Sequence, residues 1–215
     1  MAKEKDTNFD VAVVGGGPAG MMAAGKAASK GFRVVLIEKN ASLGKKLLLT
    51  GNGRCNLSNA EFNLRELAKN YNNGEFLFHA FSVFGPKEVI EFFDKLGVKT
   101  KIEKDGRVFP ESDKVEEVLE ALKRYLTENK VEILLNSEVV NVVKKAKKIE
   151  KIILKSREIT AKKYILCAGG KSYPLTGSNG SGYKLAEKLG HTISDLMPAL
   201  TPLKIKEQWV KDLQG

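Results

Sequence analysis

Three glycines near the start of the chain have a spacing that suits phosphate binding. Gly15, Gly17 and Gly20 form the pattern G-x-G-x-x-G between a valine-rich run and a helical stretch. In this context the first glycine permits a tight turn, the second lets the backbone approach a pyrophosphate, and the third lets helix and strand pack closely. The free amides and the dipole at the helix start, where Pro18 and Ala19 stand, favour an anion. The spacing therefore predicts an adenine dinucleotide site.

An acidic residue stands where such a site needs one. Glu38 lies 18 residues after Gly20, at the end of a second apolar run. A carboxylate in that place accepts hydrogen bonds from both hydroxyls of a ribose and repels a 2′-phosphate, so NADP is disfavoured here. Lys39 points to the opposite side of the strand and is kept as a candidate contact.

The elements that must position these residues can be predicted from apolar patterning. "FDVAVV" and "RVVLIEK" indicate buried parallel strands, and a helix over about 19–30 connects them and ends at Gly31. This is one β-α-β unit. Further helices are predicted over 75–97 and 115–129, with a loop, "EKDGRVFPES", between them.

The second half of the chain completes an α/β pattern. "VEILL" predicts another parallel strand, "EVVNVVKK" and "EKIILKS" predict a small antiparallel meander, and "KKYILCAGG" predicts a strand that ends in glycines. A glycine-rich run, "TGSNGSGYKLAEKLG", leads into a short helix, and "PLKIK" near the end is strand-like.

Composition excludes several classes of protein. The two cysteines, Cys55 and Cys167, are far apart, which argues against a disulfide framework, a zinc site or a local thiol pair, and the two histidines do not suggest a metal site. The start lacks the apolar segment of a secretory signal, and no apolar run is long enough to cross a bilayer. A cytoplasmic protein without a membrane partner or a bound metal is expected.

The net charge of +10 is concentrated in one stretch. Residues 144–163 contain nine Lys or Arg and two Glu. This stretch is either the solvated face of an edge hairpin, where lysine discourages strand pairing, or a patch for nucleic acid or an acidic partner. No aromatic residue interleaves before Tyr164, which favours the first interpretation.

The loop after Glu38 separates two cofactor hypotheses. In a plain NAD-binding half the second strand leads directly to the next helix, whereas here "NASLGKKLLLTGNGRCNLSN" intervenes. A long polar loop with glycines at this place is typical of a functional segment. FAD is therefore favoured over NAD, and an NAD-dependent dehydrogenase remains the alternative.

Five segments carry a resemblance to a known family. "DVAVVGGGPAGMMAAG", "LGKKLLLTGNGRCNLSN", "DGRVFPES", "YILCAGGKSYPLTGSNGSGYKLAEKLGH" and "PALTPL" resemble the bacterial FAD-dependent oxidoreductases called the aminoacetone oxidase family, which includes a bile-acid-pathway oxidoreductase. The resemblance implies a Rossmann-like, glutathione-reductase-like α/β fold of three layers, with a parallel sheet and a small antiparallel meander. It also implies FAD, a flavin-mediated hydride transfer and an unassigned small-molecule substrate, with NAD(P)H as a further candidate electron donor.

The resemblance also suggests site residues beyond the glycine motif. The loop after Glu38 would face the pyrophosphate and flavin, the strand "EVVNV" would contact adenine through its backbone, and "CAGG" would form a second glycine-containing turn near the cofactor. Cys55 is either a reactive thiol beside Arg54 or a small packed residue. A serine, Ser181, replaces the acidic residue usual in the family. The candidates are Lys46, Thr50, Gly51, Arg54, Cys55, Asn56, Val139, Val140, Ala168, Gly169 and Gly170, and no catalytic acid or base can be named.

The family is about twice as long as this chain, which implies a domain division. Residues 1–198 would form an FAD-binding domain that lacks its C-terminal completing segment, and residues 199–215 would begin a β-rich second domain. Two further hypotheses stay open: a flavoprotein acting on a nucleic acid such as tRNA, and a non-catalytic FAD-binding half that needs a partner chain.

Overall fold

A computed structural model describes residues 8–146 and 148–198, together with Lys206 and Trp209. In chain order the strands are β1 (Asn8–Val14), β2 (Val34–Ile37), β3 (Ser58–Asn59), β4 (Thr100–Ile102), β5 (Arg107–Pro110), β6 (Glu132–Leu134), β7 (Val139–Lys145), β8 (Lys148–Leu154) and β9 (Glu158–Leu166). The helices are α1 (Pro18–Ala28), α2 (Leu64–Lys69), α3 (Gly74–Val83), α4 (Pro86–Lys95), α5 (Val115–Glu128) and α6 (Ser181–Lys188), and 3-10 turns span Leu47–Gly53 and Pro174–Thr176.

The main sheet confirms the predicted Rossmann-like α/β fold. Its strand order is β6-β2-β1-β9-β8-β7. Strands β6, β2, β1 and β9 are parallel, and β7 and β8 extend the sheet from β9 as an antiparallel meander. The β-α-β unit and the strand at "VEILL" are where the sequence predicts them.

Alternating side chains of β2 explain the three layers. Val34 and Leu36 pack with residues of α1 and α5 in one core cluster. Val35 and Ile37 point to the other face and pack with residues of the meander in a second cluster. Because successive strand side chains point to opposite faces, a strand covered on both sides is apolar throughout.

A second sheet was not predicted. Strands β3, β5 and β4 form a three-stranded antiparallel sheet in that order. The segment "EKDGRVFPES" was expected to be a loop, and this is wrong for Arg107–Pro110, which pairs with β3 and β4 and buries Val108 and Phe109. The pairing joins segments far apart in sequence, so local patterning does not reveal it.

The helical stretch at 75–97 is two helices. Phe84 is non-helical, and Pro86 stands in the first turn of α4. Proline lacks the N–H that a continuing helix requires, so α3 ends before it. Among the described residues, no helix has the length and apolar character required to span a bilayer.

The predicted strand "PLKIK" and the expected second domain lie outside the described residues, apart from Lys206 and Trp209. The domain boundary at residue 198 stays a prediction.

Candidate functional site

A cavity of about 260 Å³ lies where the parallel strands end. In open α/β sheets, ligands bind outside the carboxyl ends of the strands. The lining comes from the ends of β1, β2 and β9, the start of α1 and a later loop. It comprises Val14–Ala19, Ile37–Asn40, Gly44–Lys46, Ser137–Val139, Cys167–Gly169, Thr176–Ser178 and Ser181.

The three motif glycines have different surroundings. A Cβ on Gly15, whose φ is +111°, would lie 2.3 Å from the backbone oxygen of Cys167. A Cβ on Gly20 would lie 1.8 Å from the backbone oxygen of Gly15, so α1 packs too closely on the turn for any side chain. Gly17 differs, because its Cβ would meet nothing within 4 Å. Gly17 lines the cavity and leaves its backbone open to a ligand, next to Pro18 and Ala19.

Glu38 joins the glycine turn to the end of β2. Its side chain is only 7% exposed. Oε2 accepts a hydrogen bond from the backbone N–H of Gly16 at 2.6 Å, and Oε1 accepts from the backbone and side-chain nitrogens of Asn40 at 2.8 and 2.7 Å. A carboxylate offers about four acceptor positions. Glu38 therefore keeps acceptor capacity for a ligand while it holds the turn.

The opposite end of the cavity is formed where β6 leads into β7. The backbone N–H of Ser137 donates to the carbonyl of Glu38 at 2.9 Å, which places Ser137, Glu138 and Val139 beside the end of β2. A hydrogen bond from Lys155 lowers the pKa of Glu138 below its ordinary value. Of the two predicted adenine contacts, Val139 lines the cavity, whereas Val140 is exposed and does not.

The loop at residues 173–181, here called the strap, forms another wall of the cavity. Lys39 Nζ donates to Asn179 Oδ1 at 3.1 Å and to Ser181 Oγ at 3.4 Å. Asn40 Nδ2 donates to the carbonyl of Thr176 at 3.1 Å. The backbone N–H of Ser181 donates a hydrogen bond to Asn179 Oδ1, so Asn179 rather than the side chain of Ser181 satisfies this amide at the start of α6.

Some residues of the predicted "CAGG" turn line the cavity, and another forms a hydrogen bond to the strap. Ala168 and Gly169 line the cavity. Gly170 does not, and its carbonyl accepts a hydrogen bond from the N–H of Gly180 in the strap at 3.3 Å. Cys167 lines the cavity, and burial raises the pKa of its thiol.

Of the predicted residues in the loop after Glu38, only Lys46 lines the cavity. Its Nζ donates to Ser172 Oγ at 3.2 Å, and desolvation lowers its pKa. Thr50 is turned back, with Oγ1 donating to the carbonyl of Leu47 at 2.6 Å. Gly51 has φ of +58°, and a Cβ there would lie 2.9 Å from the backbone N of Asn56. Asn56 itself lines a separate cleft beside α4.

Arg54 and Cys55 are held by the second sheet and the core. The guanidinium of Arg54 lies 3.9 Å from the ring centre of Phe109 and pairs with Glu103 at 2.7 Å and Asp113 at 3.4 Å. Cys55 is 1% exposed, and burial raises the pKa of its thiol. The geometry thus favours a packed cysteine over a reactive one. Contact of this loop with a flavin stays a prediction.

Sequence reasoning missed several cavity residues. They are Val14, Gly16, Ile37, Asn40, Gly44, Lys45, Ser137, Glu138, Cys167, Thr176, Gly177 and Ser178. The glycine-rich run "TGSNGSG" was a usable signal, because glycines permit close approach, and a Cβ on Gly177 would lie 2.7 Å from Asn40 Nδ2. Among the described residues, no group of three or more His, Cys, Asp or Glu is placed to hold a metal ion.

The sequence matches one protein family and several curated proteins. Residues 9–200 match the family described as HI0933-like protein Rossmann domain. The chain is 39% identical to the 3-dehydro-bile acid delta(4,6)-reductase of Clostridium scindens, covering 92% of this chain and 48% of that protein. It is 28% identical to the ribosomal RNA dihydrouridine synthase of Escherichia coli, covering 96% of this chain and 50% of that protein. The chain therefore spans about half the length of the curated relatives it matches.

Solved structures share the fold at low identity. A flavocytochrome c3 fumarate reductase in its open conformation superposes with a TM-score of 0.62 at 20% identity, covering 86% of this chain and 41% of that one. A 3-ketosteroid-delta4-(5alpha)-dehydrogenase from Rhodococcus jostii RHA1 gives 0.61 at 16% identity, covering 80% and 48%. The predicted cofactor, FAD, is an adenine dinucleotide, and the cavity has the open backbone at Gly17 and the carboxylate of Glu38 that such a cofactor needs. The match over residues 9–200 shows that the chain belongs to the family of HI0933-like Rossmann domains.

Proposed function

We propose that this chain forms the FAD-binding part of a flavin-dependent oxidoreductase that transfers a hydride between the cofactor and a small molecule. One observation carries the proposal. The cavity at the carboxyl edge of the sheet combines an open backbone at Gly17 with the carboxylate of Glu38. These are the two features that recognise the pyrophosphate and a ribose of an adenine dinucleotide.

The residues of the cavity fit the adenosine and pyrophosphate part of such a cofactor. The start of α1 presents free backbone amides and a partial positive charge to a pyrophosphate. Glu38 has acceptor capacity left for ribose hydroxyls, and Ser137–Val139 border the space beyond it. Lys46 adds a positive charge on the side from which the long loop departs. When bound, FAD supplies the redox chemistry, and the protein binds and orients it.

We infer that the substrate carries an activated carbon–carbon double bond. The names of the two curated relatives given above denote the reduction of a carbon–carbon double bond, in a bile acid derivative for one and in a uridine for the other. The higher identity to the first supports a small-molecule enone. NAD(P)H is the proposed electron donor. A reduction then adds a hydride to one carbon and a proton to its neighbour.

The experiment that tests the cofactor is spectroscopic. We expect the purified chain to bind FAD, seen either as a flavin spectrum with FAD in the released chromophore or as quenched FAD fluorescence on titration. NADH serves as the matched competitor, because it shares the adenosine and pyrophosphate but lacks the flavin. A folded chain that binds NADH and not FAD would replace this proposal with the dehydrogenase.

A nucleic-acid substrate is the second candidate, supported by the charge of the β7–β8 hairpin. Lys151 and Lys155 pair with Glu158 and Glu138. Lys145 and Lys148, near the turn, make no ion pair with any residue that the structure describes. Charge left unpaired at a hairpin tip suits a phosphate backbone.

Salt dependence distinguishes this second candidate. If the hairpin binds RNA, affinity for a ribosomal RNA fragment should fall steeply with salt, and the K145E/K148E variant should weaken binding and reduce the salt slope. The matched control is K87E/K95E, on α4, which changes the net charge by the same four units. Equal binding by both variants would exclude the hairpin as an RNA surface.

A further inference from the structure

We propose that the side chains of Lys39 and Asn40 hold the strap against the cofactor cavity and thereby slow the release of a bound dinucleotide. The inference rests on the proposed function, because it concerns the same cavity. It assigns a retaining role to two residues directly after the ribose-binding carboxylate, and it makes the strap a closing element of the site.

The strap is held to the cavity mainly by these two side chains. Among the described residues, its hydrogen bonds to the preceding chain are two from Lys39 Nζ, one from Asn40 Nδ2 and one from the backbone of Gly180 to Gly170. The other hydrogen bonds of the strap stay within it or lead into α6, such as Thr176 N–H to the carbonyl of Tyr173.

The outer side of the strap has little packing of its own. Leu175 is 98% exposed and Tyr173 is 64% exposed. Tyr173, Gly177 and Gly180 all have positive φ, so the path of the strap depends on turns rather than on a regular element. A segment with few buried apolar contacts opens at low free-energy cost. The bonds from Lys39 and Asn40 therefore decide how often it opens.

Asn40 connects the strap to the ligand-binding carboxylate. Its amide nitrogen has two N–H donors. One bonds Glu38 Oε1 at 2.7 Å, and the same nitrogen donates to the carbonyl of Thr176 at 3.1 Å. Glu38 in turn accepts from the N–H of Gly16. The strap, the carboxylate and the glycine turn thus form one chain of hydrogen bonds, and displacement of the strap loosens the ribose end of the cavity.

Lys39 is the better residue to change, because Asn40 also supports Glu38. Lys45 provides a matched control. It lines the same cavity and carries the same charge, but makes no hydrogen bond or ion pair with any described residue. K39A and K45A remove the same charge, and only K39A removes bonds to the strap.

The primary experiment measures hydrogen exchange of the strap amides in the cofactor-free chain. We expect K39A to speed exchange across residues 176–181 by roughly threefold to tenfold, the range that follows from losing one ordinary hydrogen bond, because the second bond from Lys39 is long at 3.4 Å. K45A should leave this exchange unchanged. The second readout is the rate of FAD release after dilution, which should rise more in K39A than in K45A. Equal exchange and equal release in the two variants would overturn the proposal.

A gain-of-contact variant provides an independent test. Lys39 Nζ lies 3.4 Å from Ser181 Oγ, so S181D replaces a neutral acceptor with a charged one. Exchange of the strap should slow in S181D and lose most of that slowing in the K39A/S181D double variant. An equal effect of S181D in both backgrounds would mean that it acts only on the start of α6.

The two proposals fail in different ways. If the unchanged chain does not bind FAD, the proposed function is wrong, yet the exchange data still report whether Lys39 holds the strap. If FAD binds and K39A behaves like K45A, the cofactor assignment stands and the retaining role is wrong.

Discussion

The glycine motif offers a pair of substitutions that separates binding from folding. Gly17 and Gly20 are both changed to alanine, so each variant gains a single methyl group. At Gly17 the methyl would meet no atom within 4 Å and would project beside the cavity. At Gly20 it would lie 1.8 Å from the backbone oxygen of Gly15. The same chemical change should therefore affect ligand affinity at one position and stability at the other.

The structure sets the expected magnitudes. Cβ atoms are essentially never found within 3.0 Å of a non-bonded atom, so Gly20→Ala must move α1 and the Gly15 turn apart by more than 1 Å. Overpacking of this kind typically costs about 1–3 kcal/mol. For a chain of this size, that lowers the midpoint of thermal unfolding by about 2–12 °C. Gly17 has φ of −77° and ψ of 179°, which alanine adopts readily, so Gly17→Ala should change stability by less than about 1 kcal/mol.

For FAD affinity, the larger effect is expected from Gly17→Ala. A methyl group on Gly17 keeps a phosphate from the backbone amides at the start of α1. Losing a hydrogen bond to a charged group costs about 1.5–3 kcal/mol, which corresponds to about a tenfold to hundredfold weaker Kd for FAD. Thermal unfolding followed by circular dichroism and FAD titration by fluorescence quenching measure both quantities. A Gly20→Ala variant as stable as the parent chain, or a Gly17→Ala variant with unchanged FAD affinity, would refute this reasoning.

Three further outcomes are expected. Glu38→Gln should lower the free energy of unfolding by about 1–3 kcal/mol, measured by urea denaturation. The amide of glutamine has one acceptor oxygen, so it cannot accept from both Gly16 and Asn40, and a buried donor such as Gly16 N–H is left unpaired. Cys55 should react with iodoacetamide at pH 8 only as fast as the chain unfolds, followed by mass spectrometry, because it is buried and its thiol pKa is raised. The pKa of Asp113 is held below its ordinary value chiefly by a hydrogen bond from Lys101, so its stabilising effect is present above about pH 4 and is lost as the pH falls further. Asp113→Asn should therefore make stability less sensitive to acid between pH 5 and 3, measured by thermal unfolding at each pH.

Each of these outcomes has a contradicting result. An unchanged midpoint for Glu38→Gln would mean that the carboxylate is not required to hold the glycine turn. Rapid alkylation of Cys55 in the folded chain would restore the reactive-thiol interpretation. An equal loss of stability with acid in the parent chain and in Asp113→Asn would mean that this carboxyl does not couple the loop at Arg54 to the fold.

Much of the fold could be predicted because its signals are local. The β-α-β unit follows from two apolar runs, a helix and glycine turns, all within residues 8–37, and α5 follows from one apolar face. The meander follows from two short β-patterned runs. The second sheet could not be predicted, because its three short strands depend on pairing between residues 58–59 and 100–110, and no local preference encodes that pairing.

In the candidate site, too, the features with local signals could be predicted and the contacts between distant segments could not. By itself, the sequence determined the glycine motif, the acidic residue at Glu38 and the loop that argues for FAD. Each of these signals depends only on the spacing or the backbone conformation of residues that are close together in the sequence. Only the tertiary structure decided that Lys39 and Asn40 meet the strap more than a hundred residues later, and that Arg54 is held by Glu103 and Asp113. The physical reason is that a side-chain hydrogen bond needs its two atoms within about 3 Å, and only the packed sheet brings such distant segments that close.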